Sequence, residues 1–387
     1  MNRQVLVVGY RPQIVDRLHR LGIPFVVWHD RAIKRKTIAG CQQLIDGIPF
    51  AGSIPTIKQM LARLFPPDTR FSHVIAGTEA AVVTASVARR TFGSRKSRDT
   101  VVLRCHNKRL MKEFLFNRGF PLIPFVYAAD KCDAPITARQ LIDQLGLPIV
   151  IKQLGKSGGR GMVLARCEGD IEPYLTQRVI FEEYIDAPEV SVETFISGHN
   201  IQFTSMTQYV EKTLVNLVPS GHAESINSRV TELHRRILMA LQIEWGLTHA
   251  EYYLAKDQIY FGEIAIRPPG GYILDLISLA YEFNAWDAFV DNELGLSPSF
   301  NATPTQSAAA VLFHPGPGRI ELITGVETID LDPNCRRLHF YKAPGEHLGP
   351  REGISDAAAF ALFCSPSPTE TLKSVRQAQR ELNFRVR

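Results

Sequence analysis

The residues best suited to chemistry lie between Trp245 and Asp275, WGLTHAEYYLAKDQIYFGEIAIRPPGGYILD. Two apolar-rich runs, His249–Leu254 and Ile259–Arg267, flank the polar stretch Ala255-Lys256-Asp257-Gln258. Short β-favouring runs around a polar break predict a hairpin. With its turn centred near Asp257, antiparallel pairing sets Glu251 opposite Glu263. Alternation then puts His249, Glu251, Glu263 and Arg267 on one face, and Ala250, Tyr252, Leu254, Tyr260, Ile264 and Ile266 on the other. Two carboxylates directly across a strand pair repel unless a cation sits between them. Hard oxygen ligands beside an arginine and a Gly-Gly turn, Gly270-Gly271, suit a Mg²⁺–phosphate site. The alternative is an exposed hairpin whose charges are screened by salt.

A second group of residues handles anions. Leu147–Leu164 reads LPIVIKQLGKSGGRGMVL: an apolar strand, Ile149–Ile151, carries Lys152 at its edge, and a loop with Gly155, Ser157, Gly158, Gly159 and Gly161 leads to a strand at Met162–Ala165. Glycines let backbone N–H groups approach phosphate oxygens without a Cβ clash. A strand follows these glycines, so this is not a Walker A loop, where G-K-[ST] opens a helix; a flexible β-turn is the other reading. Upstream, Lys108 opens an amphipathic segment, Lys108–Asn117, with Leu110, Met111, Phe114 and Leu115 on one side, and would add charge to a helix amino end where anions gather. Downstream, in VIFEEYIDAPEVSVE, a strand through Glu182, Glu183, Tyr184 and Ile185 can offer backbone groups to a planar base, and Glu189 starts another, Glu189–Ile196.

The elements that must carry these residues follow from composition and pattern. The chain has 387 residues, enough for two or three domains, with 45% apolar and 21% charged residues, an ordinary globular composition. Its net charge of +5 fits an anionic small ligand and is too diffuse for nucleic acid. The six cysteines are scattered without a CxxC pair, so neither a zinc site nor a disulfide framework is indicated. No apolar stretch is long enough to span a membrane, and the first residues enter a strand rather than a signal-peptide core; a reducing cytoplasm is the expected location. Val5–Gly9, Gln13–Leu21, Pro24–Trp28, His73–Gly77 and Glu79–Arg90 alternate strand and helix, predicting a doubly wound α/β domain. Only one glycine of a dinucleotide fingerprint follows the first strand, so this domain reads as a scaffold beside the site, with Glu79 at a strand's carboxyl end as its one candidate substrate contact. A Ser/Pro-rich stretch through Ser307 reads as a linker, and the tail predicts strands near Ala308–Phe313, Arg319–Glu321 and Leu338–Tyr341 and a helix at Pro368–Leu382.

In this order the parts resemble an ATP-grasp ligase: a Rossmann-like leading domain, the helix lysine, the strand lysine with its glycine loop, the E-x-Y-I segment with an acid seven residues on, and paired glutamates with an arginine. T-H-A-E followed by R-P-P-G-G, and the tail AAAVLFHPGPGRIELITGVET, are similar to the L-amino-acid (dipeptide) ligases among the carboxylate–amine ligases. The resemblance implies an α/β and α+β chain: a Rossmann-like domain over 1–104, an ATP-grasp domain over 105–298 with a small β lid at about 147–185, and a small α+β domain over 308–387. It implies ATP and Mg²⁺ or Mn²⁺ as cofactors. Lys108 and Lys152 would hold the α- and β-phosphates under the loop, Glu182 would read the adenine amino group, the Glu183–Ile185 backbone would face the base, and Glu189 would bind ribose. Glu251 and Glu263 would ligate the metal, Arg267 would clamp the substrate carboxylate, Gly270 and Gly271 would admit substrate, and His249 would orient the amine or a metal-bound water. One departure stands out: the family's E-x-N-x-R has Ala265 where asparagine is expected, which removes an oxygen ligand. The implied reaction activates a carboxylate, an amino acid by preference, as an acyl phosphate and joins it to an amine. The alternatives are a purine-precursor ligase or carboxylase and a non-catalytic ATP-binding protein. The implied partners are small carboxylates and amines, with no nucleic acid and no membrane; dimerisation is common in that family.

Overall fold

The computed structural model describes residues 4–29, 38–48, 53–94, 99–128, 136–154, 161–351, 353 and 356–387. Strands β1 (Val5–Val8), β2 (Phe25–His29), β3 (Cys41–Asp46) and β4 (His73–Ala76) form a parallel sheet in the order β3-β2-β1-β4. The runs VLVV and FVVWH are wholly buried because helices cover both faces. Their alternate residues feed two cores. Val5, Val7, Phe25 and Val27 pack with Ile14, Val15 and Leu18 of α1 (Pro12–Arg20), while Leu6, Val8, Val26 and Trp28 pack with α2 (Ile54–Leu64) and α3 (Val82–Phe92). Strand β3 and helix α2 are absent from the sequence expectation. CQQLID buries only Ile45, so this edge strand carries almost no apolar signature. Helices α4 (Asp99–His106) and α5 (Lys108–Phe116) lead out of the domain.

The next unit is an antiparallel sheet ordered β5-β8-β6-β7, made of β5 (Phe125–Tyr127), β6 (Ile149–Gln153), β7 (Met162–Ala165) and β8 (Val179–Glu183), with α6 (Ala138–Leu145) and α7 (Glu168–Ile171) against it. This lid therefore starts near Phe125, earlier than the expected 147, because a three-residue strand is too short to register as a pattern.

The main sheet has eight antiparallel strands, ordered β13-β12-β9-β10-β11-β14-β18-β16. These are β9 (Glu189–Ser197), β10 (Asn200–Glu211), β11 (Val215–Val218), β12 (Gly246–Leu254), β13 (Ile259–Ile266), β14 (Ser307–Phe313), β16 (Cys335–Phe340) and β18 (Ala359–Ser365). A small sheet of β15 (Gly318–Thr324), β17 (His347–Leu348) and β19 (Asn383–Val386) lies beside it. Helices α8 (Glu224–Leu241), α9 (Ile273–Tyr281), α10 (Ala285–Glu293), α11 (Val326–Asp330) and α12 (Pro368–Glu381) cover the faces. The C-terminal strands, expected as a separate small domain, continue the central sheet, with Val215 opposite Val311 and Val218 opposite Ala308. SAAAVLF is buried on both faces, with Ala308, Ala310 and Leu312 in one core and Ala309, Val311 and Phe313 in the other. Among the described residues no helix is long and apolar enough to cross a membrane.

Helix α8 is pinned to the sheet by His234, whose ring nitrogens meet Thr194 Oγ1 at 3.0 Å and Tyr252 Oη at 2.8 Å. Burial pushes this imidazole from 6.5 down to about 3. The unfolded chain thus takes up a proton below pH 6.5 that the folded chain refuses until near pH 3. Stability from this group is complete above the upper value and is lost as pH falls through the window, by about 3 kcal/mol at pH 4. Denaturant midpoints of wild type and His234→Asn should converge as the pH is lowered from about 7 to about 4. Parallel curves would show that His234 does not titrate in this way.

Candidate active site

Strands β12 and β13 place Glu251 directly opposite Glu263. Beyond that pair the register slips by one, so Phe261 rather than Gly262 faces Tyr252. Phe261 and Tyr252 are both fully buried, whereas Tyr260, expected on the core face, pairs with Tyr253 on the acidic one. The extra residue is Gly262, where a Cβ would lie 3.1 Å from the Tyr253 ring and 3.2 Å from the Glu251 carbonyl. A count of alternating residues cannot register a bulge.

The opposed acids do not face each other unpartnered. Lys108 Nζ, from the first turn of α5, ion-pairs with Glu263. Tyr209 Oη donates to Glu251 Oε1 at 3.2 Å, and His249 Nε2 lies 3.5 Å from the same oxygen. Burial pushes the Glu251 carboxyl up, but the hydrogen bond and charge of His249 outweigh it and hold it below the usual carboxylate range. Burial likewise lowers His249, and Glu193 with Glu251 lifts it to about 9. The Lys152 charge also helps to lower the Glu251 carboxyl.

In the lid, Lys152 Nζ sits 2.7 Å from Glu182 Oε2. Lys112, one turn after Lys108, approaches Glu182 Oε1 to 2.9 Å. That second contact is an ion pair lying off the hydrogen-bond direction, and it leaves the buried Oε1 without a directed donor. Burial raises the Glu182 carboxyl, but the two lysines bring it down to about 2. Helix α5 was expected to bury Leu110; instead Leu110 is exposed and Lys112 is 1% exposed among Met111 and Leu115. Removing the carboxylate would strand that ammonium. Glu182→Ala should cost about 3–5 kcal/mol of stability, and adding Lys112→Met should recover most of it. Equal denaturation midpoints for wild type and Glu182→Ala would refute the pairing.

The remaining candidates are placed as follows. Glu183 N–H donates to the Pro124 carbonyl at 3.0 Å, and the Ile185 carbonyl accepts from Ala187 N–H at 3.1 Å. Tyr184 is exposed. Glu189 is buried and takes Lys212 Nζ at 2.6 Å; burial and Glu251 raise its carboxyl against that lysine. Gly155, Ser157, Gly158 and Gly159 lie outside the described residues, and Gly161 precedes β7 with φ +66°. Arg267 Nε pairs with Glu79, which also meets His106 Nδ1 at 3.0 Å. Burial raises the Glu79 carboxyl, yet Arg267 and His106 hold it far below the usual range. Glu79 follows β4, whose end is tight against that of β1: a Cβ on Gly77 would lie 2.1 Å from the Gly9 carbonyl. The Gly271 carbonyl accepts from Asn216 Nδ2 at 3.0 Å, and Tyr272, at φ +61°, stacks on Phe360 with ring centroids 3.9 Å apart.

Sequence reasoning missed Lys112, Glu193, Tyr209 and Lys212. Lys112 had a signal, since its i+4 spacing from Lys108 puts both on one helix face. Glu193 sits in β9 beside the hairpin, Tyr209 in β10 beyond it and Lys212 in the turn that follows, and nothing local marks them.

Comparison with known proteins accords with this geometry. The ATP-grasp domain family matches residues 113–276, and the family described as L-amino acid ligase C-terminal domain 2 matches residues 310–387. The L-arginine-specific L-amino acid ligase of Bacillus subtilis is 22% identical over 320 residues, 78% of this chain and 76% of that protein. The formate-dependent phosphoribosylglycinamide formyltransferase of Anaeromyxobacter dehalogenans is 26% identical over 297 residues, 68% of this chain and 74% of that one. The crystal structure of the L-amino acid ligase from Bacillus licheniformis shares the fold, with a TM-score of 0.82 at 18% identity over 100% of this chain and 99% of that one. Residues 113–276 thus match the ATP-grasp domain family and residues 310–387 the second C-terminal domain of L-amino acid ligases, and ATP-grasp carboxylate–amine ligases are ADP-forming enzymes.

Proposed function

We propose that the chain activates an amino-acid carboxylate with ATP as an acyl phosphate and joins it to an amine, forming an amide or peptide bond. The observation that carries this reading is the concentration of paired charge at one site. Lys152 with Glu182, Lys108 with Glu263, and Arg267 with Glu79 hold the cations a triphosphate and a carboxylate need, each on a partner it can exchange. The donor set suits the cofactors. Glu182, held by Lys112 and Lys152, would offer a carboxylate oxygen to the adenine amino group. Among the described residues no group of three or more His, Cys, Asp or Glu could hold a metal alone, and two carboxylates completed by phosphate oxygens is a usual Mg²⁺ arrangement. Glu251 and Glu263 would hold the ion, whose charge neutralises the phosphates during transfer.

A carboxylate is a poor acyl donor because its leaving group would be oxide. Its oxygen attacks the γ-phosphorus, and the bridging oxygen leaves with ADP. The amine nitrogen then attacks the acyl carbon, phosphate departs, and the amine gives up a proton. Lys108 and Lys152 release their carboxylates to hold phosphate oxygens, a charge-assisted exchange. Arg267 orients the carboxylate and stabilises charge on the acyl phosphate and the tetrahedral intermediate. The match at residues 310–387 favours an amino-acid substrate, and the formyltransferase relative supports a second reading in which a purine precursor is ligated.

A panel of amino-acid pairs assayed for products tests the proposal. Amino-acid-dependent ADP and phosphate are expected, with a hydroxamate when hydroxylamine replaces the amine. AMP and pyrophosphate would exclude the acyl-phosphate route, and formate- or bicarbonate-dependent turnover without amino acid would favour the second reading.

A further inference from the structure

Glu193 is fully buried in β9, at the centre of the main sheet, and the reaction as derived above does not use it. A carboxylate in such a place is strongly unfavourable unless its lone pairs meet donors. Three strands supply them. Ser191 Oγ donates to Oε1 at 2.7 Å, Thr207 Oγ1 donates to Oε2 at 2.7 Å, and His249 Nδ1 lies 2.7 Å from Oε1. The pairing of β9 with β12 makes this arrangement rigid, because Glu193 stands opposite His249 and Ser191 opposite Glu251.

The contact at Nδ1 has a consequence at the other side of the ring. With Nδ1 bound to Glu193, Nε2 is turned toward Glu251 Oε1 at 3.5 Å, where Tyr209 Oη also donates at 3.2 Å. Among the described residues no hydrogen bond reaches the second oxygen, Oε2 of Glu251. One oxygen of the carboxylate is therefore held from the protein side and the other is left open.

We propose that Glu193 is a positioning residue for the metal-binding carboxylate: it fixes His249, and His249 with Tyr209 holds Glu251 so that Oε2 is presented to the cation. This rests on the reading of Glu251 as a metal ligand. Groups that orient a ligating side chain change metal affinity by about 10–100-fold when removed, while leaving contacts to other ligands untouched.

The test uses Mn²⁺ as the probe, with free Mn²⁺ followed by electron paramagnetic resonance in the presence of ADP, on the full chain. Glu193→Gln should weaken Mn²⁺ binding about tenfold or more, with ADP affinity measured without metal unchanged. His249→Gln should cause a similar loss, and the double variant no further loss, because the one acts through the other. Where Glu193→Gln does not fold, Thr207→Val strips one donor from Glu193 at similar volume and should weaken Mn²⁺ roughly threefold. A folded Glu193→Gln, or failing that Thr207→Val, with wild-type Mn²⁺ affinity overturns the proposal, as do additive losses in the double variant. Glu251→Gln separates the two levels: if it too binds Mn²⁺ as wild type does, the metal assignment itself fails. If it alone loses the ion, only the positioning role is wrong.

Discussion

Glu263→Gln is expected to lower amino-acid-dependent ADP formation by about a thousandfold or more, since it removes one of two metal carboxylates that serve a charge-neutralising ion. The fold should survive. The Glu263 side chain is 26% exposed and that of its partner Lys108 15%, and an ion pair still open to solvent contributes about 1 kcal/mol. The repulsion expected from two opposed acids is not what this substitution would relieve, because each acid already has its own partner. Stopped turnover at an unchanged melting temperature identifies a site residue. A large drop in melting temperature alongside lost activity would make Glu263 structural.

Arg267→Met is expected to cut kcat about 100–1,000-fold, the scale of losing one preorganised donor at a developing oxyanion. Its effect on the KM for ATP should be small, because Arg267 is held by Glu79 and is assigned to the substrate carboxylate. The carboxylate left behind at Glu79 keeps His106 as a partner, so the variant should remain folded. Glu79→Gln is the informative companion. Freed of its counterion, Arg267 would keep its charge but lose its anchor, so the acid's KM should rise more than kcat falls. Unchanged kinetics in Arg267→Met would remove the arginine from the mechanism. A rise only in the KM for ATP would move its contact to the triphosphate.

Local order was legible without coordinates. The strand–helix alternation of the first domain, the lysine before a glycine loop, the hairpin at 246–266 and the pairing of Glu251 with Glu263 follow from apolar periodicity and turn chemistry, both of which act within a dozen residues. What failed was also local but silent. Strand β3 buries one residue of six, β5 has three residues, and Gly262 inserts a bulge that reverses the faces of Tyr260 and Phe261.

The sequence by itself determined the cast of charged residues, the two strands flanking a glycine loop and the order in which they arrive. Only the tertiary structure decided which charge meets which. Lys112 pairs with Glu182 from 70 positions away, Arg267 with Glu79 from 188, and Glu193 with His249 from 56. The last follows from the register of β9 on β12, and the other two from the packing of elements that belong to different sheets and helices. A buried charge persists only where such an approach supplies its partner. Periodicity tells which residues turn inward, but not what they will find there.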